Sequence, residues 1–130
     1  MSDINGQNGS VTLPSRHGGQ AFAFTVRSTQ AKKQVNRYGD GRFVVKRGGL
    51  IEITGEVSVF MRRGATGTAV NSTTLSATGD SLVLTFDTGC TIGGTALFDF
   101  NATHRFDDPA NEATYPFEFT GTVTEAWATA

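Results

Sequence analysis

The sequence predicts an all-β fold, an antiparallel β-sandwich or partly closed barrel of about seven strands, with room for one short helix. Leu50–Met61 reads LIEITGEVSVFM, placing Ile51, Ile53, Gly55, Val57, Val59 and Met61 on one parity and Glu52, Thr54, Glu56 and Ser58 on the other. That period of two belongs to a strand with one face in a core. Tyr115–Glu125 repeats it, with Tyr115, Phe117, Phe119, Gly121 and Val123 opposed to Glu118, Thr120, Thr122 and Thr124. Sixteen Gly and only three Pro in 130 residues, without a sustained helical period, suit tight turns between strands rather than crossover helices. Ile53–Val59 and Phe119–Glu125 share the frame apolar-Thr-Gly-x-Val-Ser/Thr-x. A mid-strand glycine marks a bulge, a bend or a close backbone approach, so both segments are expected to be bent core strands.

In chain order, Met1–Gly9 is polar and reads as a flexible arm with no apolar signal-peptide run. A short strand is expected at Ser10–Leu13, then a turn over Pro14–Gly19. Ala21–Ser28 alternates with Phe22, Phe24 and Val26 inward. Residues 29–41 are expected to form a long loop, polar and basic with Val35 as its apolar anchor, closed by the turn signal Asp40-Gly41. Arg42–Lys46 reads as a short strand and Arg47-Gly48-Gly49 as the turn into Leu50–Met61. Residues 62–80 are rich in Gly, Ala, Thr and Ser, and a 19-residue connection in a compact domain is usually functional or mobile. Leu75-Ser76-Ala77 is where a short helix would fit. Ser81–Asp87 offers Leu82, Leu84 and Phe86 to one side. Thr91–Thr103 offers Ile92, Ala96, Phe98, Phe100 and Ala102 after a Gly93-Gly94 kink. An acidic turn, Phe106–Thr114, leads to the last strand, Tyr115–Ala126, with Trp127 behind it.

The length fits one domain, residues 1–130, large enough to fold without metals or disulfides. Ten Phe supply much of the core. The single cysteine, Cys90, has no internal disulfide partner and reads as a plain thiol. No stretch is long and apolar enough to span a membrane, so folding in a cytoplasm and no membrane partner are expected. The net charge of −1 conceals an asymmetry: residues 1–65 carry +6 and residues 66–130 carry −7. Such a chain can present complementary faces to its own copies, unless interleaved strands mix the two halves.

Little in the sequence points to catalysis, and no cofactor is expected. His17 and His104 lack partners at a metal-ligand spacing, and His17-Gly18-Gly19 has no nucleophile elbow to serve. Gly39-Asp40-Gly41 lacks the third glycine and the helix of a phosphate loop. Glu52, Glu56 and Glu118, with Tyr115 or Trp127, form the best enzymatic lead, a glycosidase or carbohydrate-binding cleft. A solvated or intersubunit strand face explains those glutamates more simply. Asp99 with Asp107-Asp108 offers oxygen ligands for Ca²⁺, although Asp-Asp-Pro-Ala-Asn is also a good turn. Lys32, Lys33, Arg37, Arg62 and Arg63, with Arg42, Lys46 and Arg47, would bind nucleic-acid phosphates if coplanar. A protein-binding edge, an intersubunit loop, is the plainer reading.

The order of features resembles the small tail tube proteins of bacteriophages and related contractile-injection machines. The cues are Asn5-Gly6-x-x-Gly9-Ser10-Val11, Phe24-Thr25-Val26, Tyr38-Gly39-Asp40, Gly49–Gly55 and Phe117–Thr124, which together span nearly the whole chain. The resemblance implies a β-sandwich closing towards a barrel, assembled into hexameric rings that stack head to tail around a DNA channel. It also implies a non-enzymatic virion protein, assembled in the host cytoplasm, that meets itself, other virion proteins and passing DNA without sequence-specific binding. Glu52, Thr54, Glu56, Ser58, Glu118, Thr120 and Thr122 would then form the lumen or intersubunit face, where acidic and hydroxyl groups let DNA slide. The family has a clearer helix after the central hairpin than residues 62–80 offer. A capsid cement or decoration protein, another self-associating all-β particle component, is the alternative.

Overall fold

The computed structural model describes residues 4, 6–14, 20–36, 41, 43–62 and 75–128. Seven strands form one antiparallel sheet: β1 (Ser10–Thr12), β2 (Gln20–Gln34), β3 (Lys46–Phe60), β4 (Asp80–Asp87), β5 (Cys90–Phe98), β6 (Asn101–Ala102) and β7 (Glu112–Trp127). Their order is β1-β4-β5-β7-β3-β2, and β6 pairs with β7. The sheet curls until β1 touches β2 without a ladder between them. This is the partly closed barrel of the expectation rather than two stacked sheets. Among the described residues the one helical element is a 3-10 turn at Gly6–Asn8, packed against β4 and tied by Asn8 Nδ2 donating to Asp87 Oδ1 at 2.9 Å.

Alternation decides which side chains are buried. Val57 and Val59 of β3, Leu82 and Leu84 of β4, Ala96 and Phe98 of β5, and Ala113, Tyr115 and Phe117 of β7 form the core on the concave side. Val11, Phe24, Val26, Met61, Phe100 and Phe119 close over it. Tyr115 is completely buried, and burial pushes its phenol up to about 12. Cys90 is a buried free thiol at the start of β5, aimed at the Ala128 carbonyl.

Gly55 is the close-approach case. A Cβ built there would stand 2.0 Å from the Thr25 carbonyl oxygen and 2.9 Å from Phe117 Cζ, so only glycine lets β2, β3 and β7 meet at this level. Gly121 is the bulge case. The β5–β7 register passes from Gly93↔Thr124 to Thr95↔Thr120, and the extra residues are absorbed with Gly121 at φ 77°. The shared frame thus hides two different devices.

Several expectations are corrected. Phe22 does not face the core: an extra residue in β2 between Ala21 and Ala23 turns it out, where it stacks on Phe60 at 4.4 Å. Residues 29–34 are strand, not loop, because their backbone pairs with β3 down to Gln34↔Lys46 even though neither face is buried. For the same reason Gly48 and Gly49 lie inside β3, and of the described residues 43–46 only Lys46 is in a strand, Arg42 lying outside the described residues. Leu75-Ser76-Ala77 is irregular, with a bend from Ala77, rather than helical. The expectations for Met1–Asp3, for the turn at 15–19, for Tyr38-Gly39-Asp40 and for 63–74 lie outside the described residues.

β7 is the hub. Its first half, through Glu118, pairs with β3, and from Phe117 onward it pairs with β5. Beyond Thr54↔Glu118 the two partners separate, and Lys46–Ile53 continues only as a hairpin with β2. The molecule therefore has a packed body and a two-stranded arm.

Candidate functional site

The convex face of the body carries the polar parity of four strands. Thr25 and Arg27 of β2, Thr54 and Glu56 of β3, Glu118 of β7, and Leu97 with Asp99 at the end of β5 line an open groove of about 720 Å³. Gly55, Pro116 and Phe117 complete its wall. Register brings these groups together: Arg27 is opposite Thr54, Thr54 is opposite Glu118, and Glu56 lies between Thr25 and Pro116. Three carboxylates face one guanidinium, so the groove is acidic. Ser58 continues the same parity beside Thr114. Arg27 is not among the residues the sequence singles out, and Asp99 stands there only as a Ca²⁺-ligand candidate; their parity, opposite to Phe24/Val26 and Ala96/Phe98, is the sequence signal that places both on this face.

The predicted face is only partly brought together. Thr54, Glu56, Ser58 and Glu118 share one continuous surface. Thr120, two residues beyond Glu118 on the same parity and opposite Thr95, extends that face towards β5, whereas Glu52 lies out on the arm opposite Thr29. Thr122 falls in the Gly121 bulge. The aromatic residues of the carbohydrate reading are elsewhere: Tyr115 faces the core, and Trp127 stacks on Phe86 at 5.4 Å. The groove's carboxylates are thus not joined by either aromatic residue of the carbohydrate reading.

Among the described residues, the basic side chains do not form one cluster. Lys32 and Lys33 sit near the arm's tip on β2, opposite Gly48 and Arg47, in strand rather than loop. Successive strand residues point to opposite faces, so the two ammonium groups diverge. Arg62 is at the other end of β3, where its guanidinium donates to Gln20 Oε1. Arg37 and Arg63 lie outside the described residues.

The arm also exposes apolar side chains. Leu50 is 86 % exposed, Phe43 is 82 % exposed, and Val44 and Ile51 are open as well. Its end is ordered by backbone and amide bonds: Val35 N donates to Val45 O at 2.8 Å, and Asn36 Nδ2 to Phe43 O at 2.9 Å. At the opposite end of the molecule, residues 103–111 form a turn built by its own polar groups. Arg105 N donates to Asn111 Oδ1 at 2.9 Å, Ala110 N to Asp108 Oδ1 at 3.0 Å, and Asp108 N to Arg105 O at 3.2 Å. Asp108 acts there as a turn residue. Phe106, edge-on to His104, is 96 % exposed at its crest. Among the described residues, no three His, Cys, Asp or Glu side chains cluster as a metal site.

No protein-family model matches the chain, and no curated protein matches it in sequence. Solved structures do match in shape. A chain of the virion of a native gene transfer agent particle superposes with a TM-score of 0.71 at 9 % identity, covering 95 % of this chain and 98 % of that one. A chain from the tail of an empty gene transfer agent particle with C6 symmetry gives 0.70 at 8 % identity, with the same coverage. The curled antiparallel sheet described above is therefore a fold shared, nearly end to end, with chains of these particles.

Proposed function

We infer that the protein is a non-enzymatic structural subunit of a phage-like tail, a tail tube protein that forms homo-oligomeric rings stacked around a channel. The observation that supports this most is the fold shared over 95 % of the chain with a chain of a C6-symmetric tail. The surface agrees with it. A body with an acidic, hydroxyl-rich convex face suits a bore through which DNA phosphates pass without being held, since like charges repel. In this reading Thr54, Glu56, Ser58 and Glu118 face that bore, and the exposed arm meets neighbouring copies. Rings would join other virion proteins at the ends of the stack, in a particle assembled in the host cytoplasm.

Electron microscopy of the purified protein at rising concentration tests the reading. Rings of about six copies, or tubes built from them, are expected. Protein that stays monomeric at hundreds of micromolar, or that appears as dimers or trimers bound to preformed capsids, overturns it, and the second result selects the decoration role instead.

A further inference from the structure

The two Asn-Gly pairs of the chain, Asn5-Gly6 and Asn8-Gly9, both fall in its first nine residues. Asn5 lies outside the described residues, whereas Asn8-Gly9 has a defined setting. Asn8 closes the 3-10 turn Gly6–Asn8, is exposed to solvent, and donates from Nδ2 to Asp87 Oδ1 at 2.9 Å. The same oxygen accepts from Thr88 N at 2.7 Å, so it is turned towards two donors. Gly9 N in its turn donates to Gly6 O at 3.1 Å. Directly beyond, β1 meets β4 over a short ladder, Ser10↔Thr85, Val11↔Leu84 and Thr12↔Val83, and Val11 packs against the core. The bond from Asn8 to Asp87 is thus a side-chain tie at the mouth of a ladder that has little else to hold it.

We propose that Asn8 is a self-modification site, whose conversion to aspartate or isoaspartate irreversibly releases the Gly6–Thr12 segment from β4. The chemistry needs only water. The Gly9 nitrogen, once its proton has passed to solvent base, attacks Asn8 Cγ; the new C–N bond closes a succinimide ring, and the side-chain nitrogen leaves as ammonia. Water then adds to either ring carbonyl and opens the ring, giving aspartate or isoaspartate. One water is consumed and one ammonia released, with no change of oxidation state. Glycine places no Cβ beside the attacking nitrogen, which makes the closure easy. In the closed turn, however, both reacting groups are engaged, the Gly9 N–H by Gly6 O and the Asn8 amide by Asp87. The ring therefore forms only from an opened turn, at a rate set by how often the segment opens. The product cannot regain the old seat. A donor has become a carboxylate, which only accepts, and it would face the Asp87 carboxylate with like charge. Isoaspartate also lengthens the main chain by a methylene just before the ladder. Release uncovers the β4 edge at Val83–Thr85 and opens the groove of about 240 Å³ between β1 and β2, lined by Val11, Phe22 and Phe24. The site does not rest on the tail reading.

Ageing the full chain in mildly alkaline buffer, folded and in urea, tests it, with peptide mapping by mass spectrometry to follow Asn8. Conversion should be about tenfold slower in the folded chain, because it waits on local opening. Asp87→Ala, which removes the tie, should raise the folded rate several-fold. Asn8→Asp, a mimic of the product, should lose hydrogen-exchange protection across residues 9–12 and along the β4 edge, while β5 and β7 keep theirs. Adding Asp87→Asn supplies an amide donor opposite the new carboxylate and should restore the protection. The converted fraction of aged wild-type protein, separated by ion exchange, should show the same loss as the mimic, which keeps the test sound if the variant folds poorly. Equal conversion in the folded and unfolded chains, or none in either, overturns the site. A converted fraction that stays fully protected at residues 9–12 overturns the release.

Discussion

The two halves of β3 carry the same alternation and meet different fates. In Gly55–Phe60 the inward positions Val57 and Val59 are completely buried between β2 and β7. In Lys46–Ile53 the corresponding Ile51 is exposed, because β7 has turned away to β5 and nothing in the described chain covers it. Alternation reports which way side chains point, and the neighbouring strand decides whether that direction is a core. A folded monomer should therefore be intolerant in one half and indifferent in the other.

The widest difference should come from paired glycines. Gly55→Ala places a methyl group against the Thr25 carbonyl and the Phe117 ring, and should destabilise by about 4 kcal/mol or prevent folding. Gly49→Ala meets only ordinary contacts near 3.5 Å from Ala31 and should leave stability unchanged or raise it by about 0.5 kcal/mol. Urea titration of both variants checks this, and equal effects would dissolve the division between body and arm. Paired leucines come next. Leu84→Ala empties a fully buried site and should cost about 3 kcal/mol, whereas Leu50→Ala should stay within about 0.5 kcal/mol in the monomer. A large monomer effect at Leu50 would mean that the arm is packed within its own chain.

The smallest effect concerns pH and only the body. The Tyr115 phenol is held protonated by burial to about 12, against 10 when unfolded. Between those values the unfolded chain binds fewer protons than the native one. The stability contributed is thus intact below pH 10 and declines as pH rises, by up to about 1.4 kcal/mol per unit until pH 12. Relative to wild type, Tyr115→Phe should lose less stability between pH 9 and 11 in a series of melts. Parallel curves would place the phenol in solvent.

Much of the body was readable from residue order. Period-two runs located β4, β5, β7 and the buried half of β3, since one covered face forces alternation. The polar groove followed from the same parity at Thr54, Glu56 and Glu118. The arm was not readable as strand, because Thr29–Gln34 has two exposed faces and so no reason to alternate. Its pairing is a backbone fact with no side-chain signature. The outward Phe22 was hidden for a related reason: one inserted residue reverses parity, and hydrophobicity alone cannot show where the insertion falls.

The parting of β3 and β7 after Thr54 and Glu118 has a cost for the newly made chain. Two rows of backbone amides and carbonyls, on Lys46–Ile53 and on the matching side of Phe119–Trp127, have no strand beside them in the described fold. Such rows are templates for illicit pairing with any extended segment in a crowded cell. Lys46, Arg47, Glu52 and Glu125, spaced along them, are the charged residues that discourage misjoining. Neutralising them should shift overexpressed protein towards amyloid-like aggregates before any change in the melting temperature is seen.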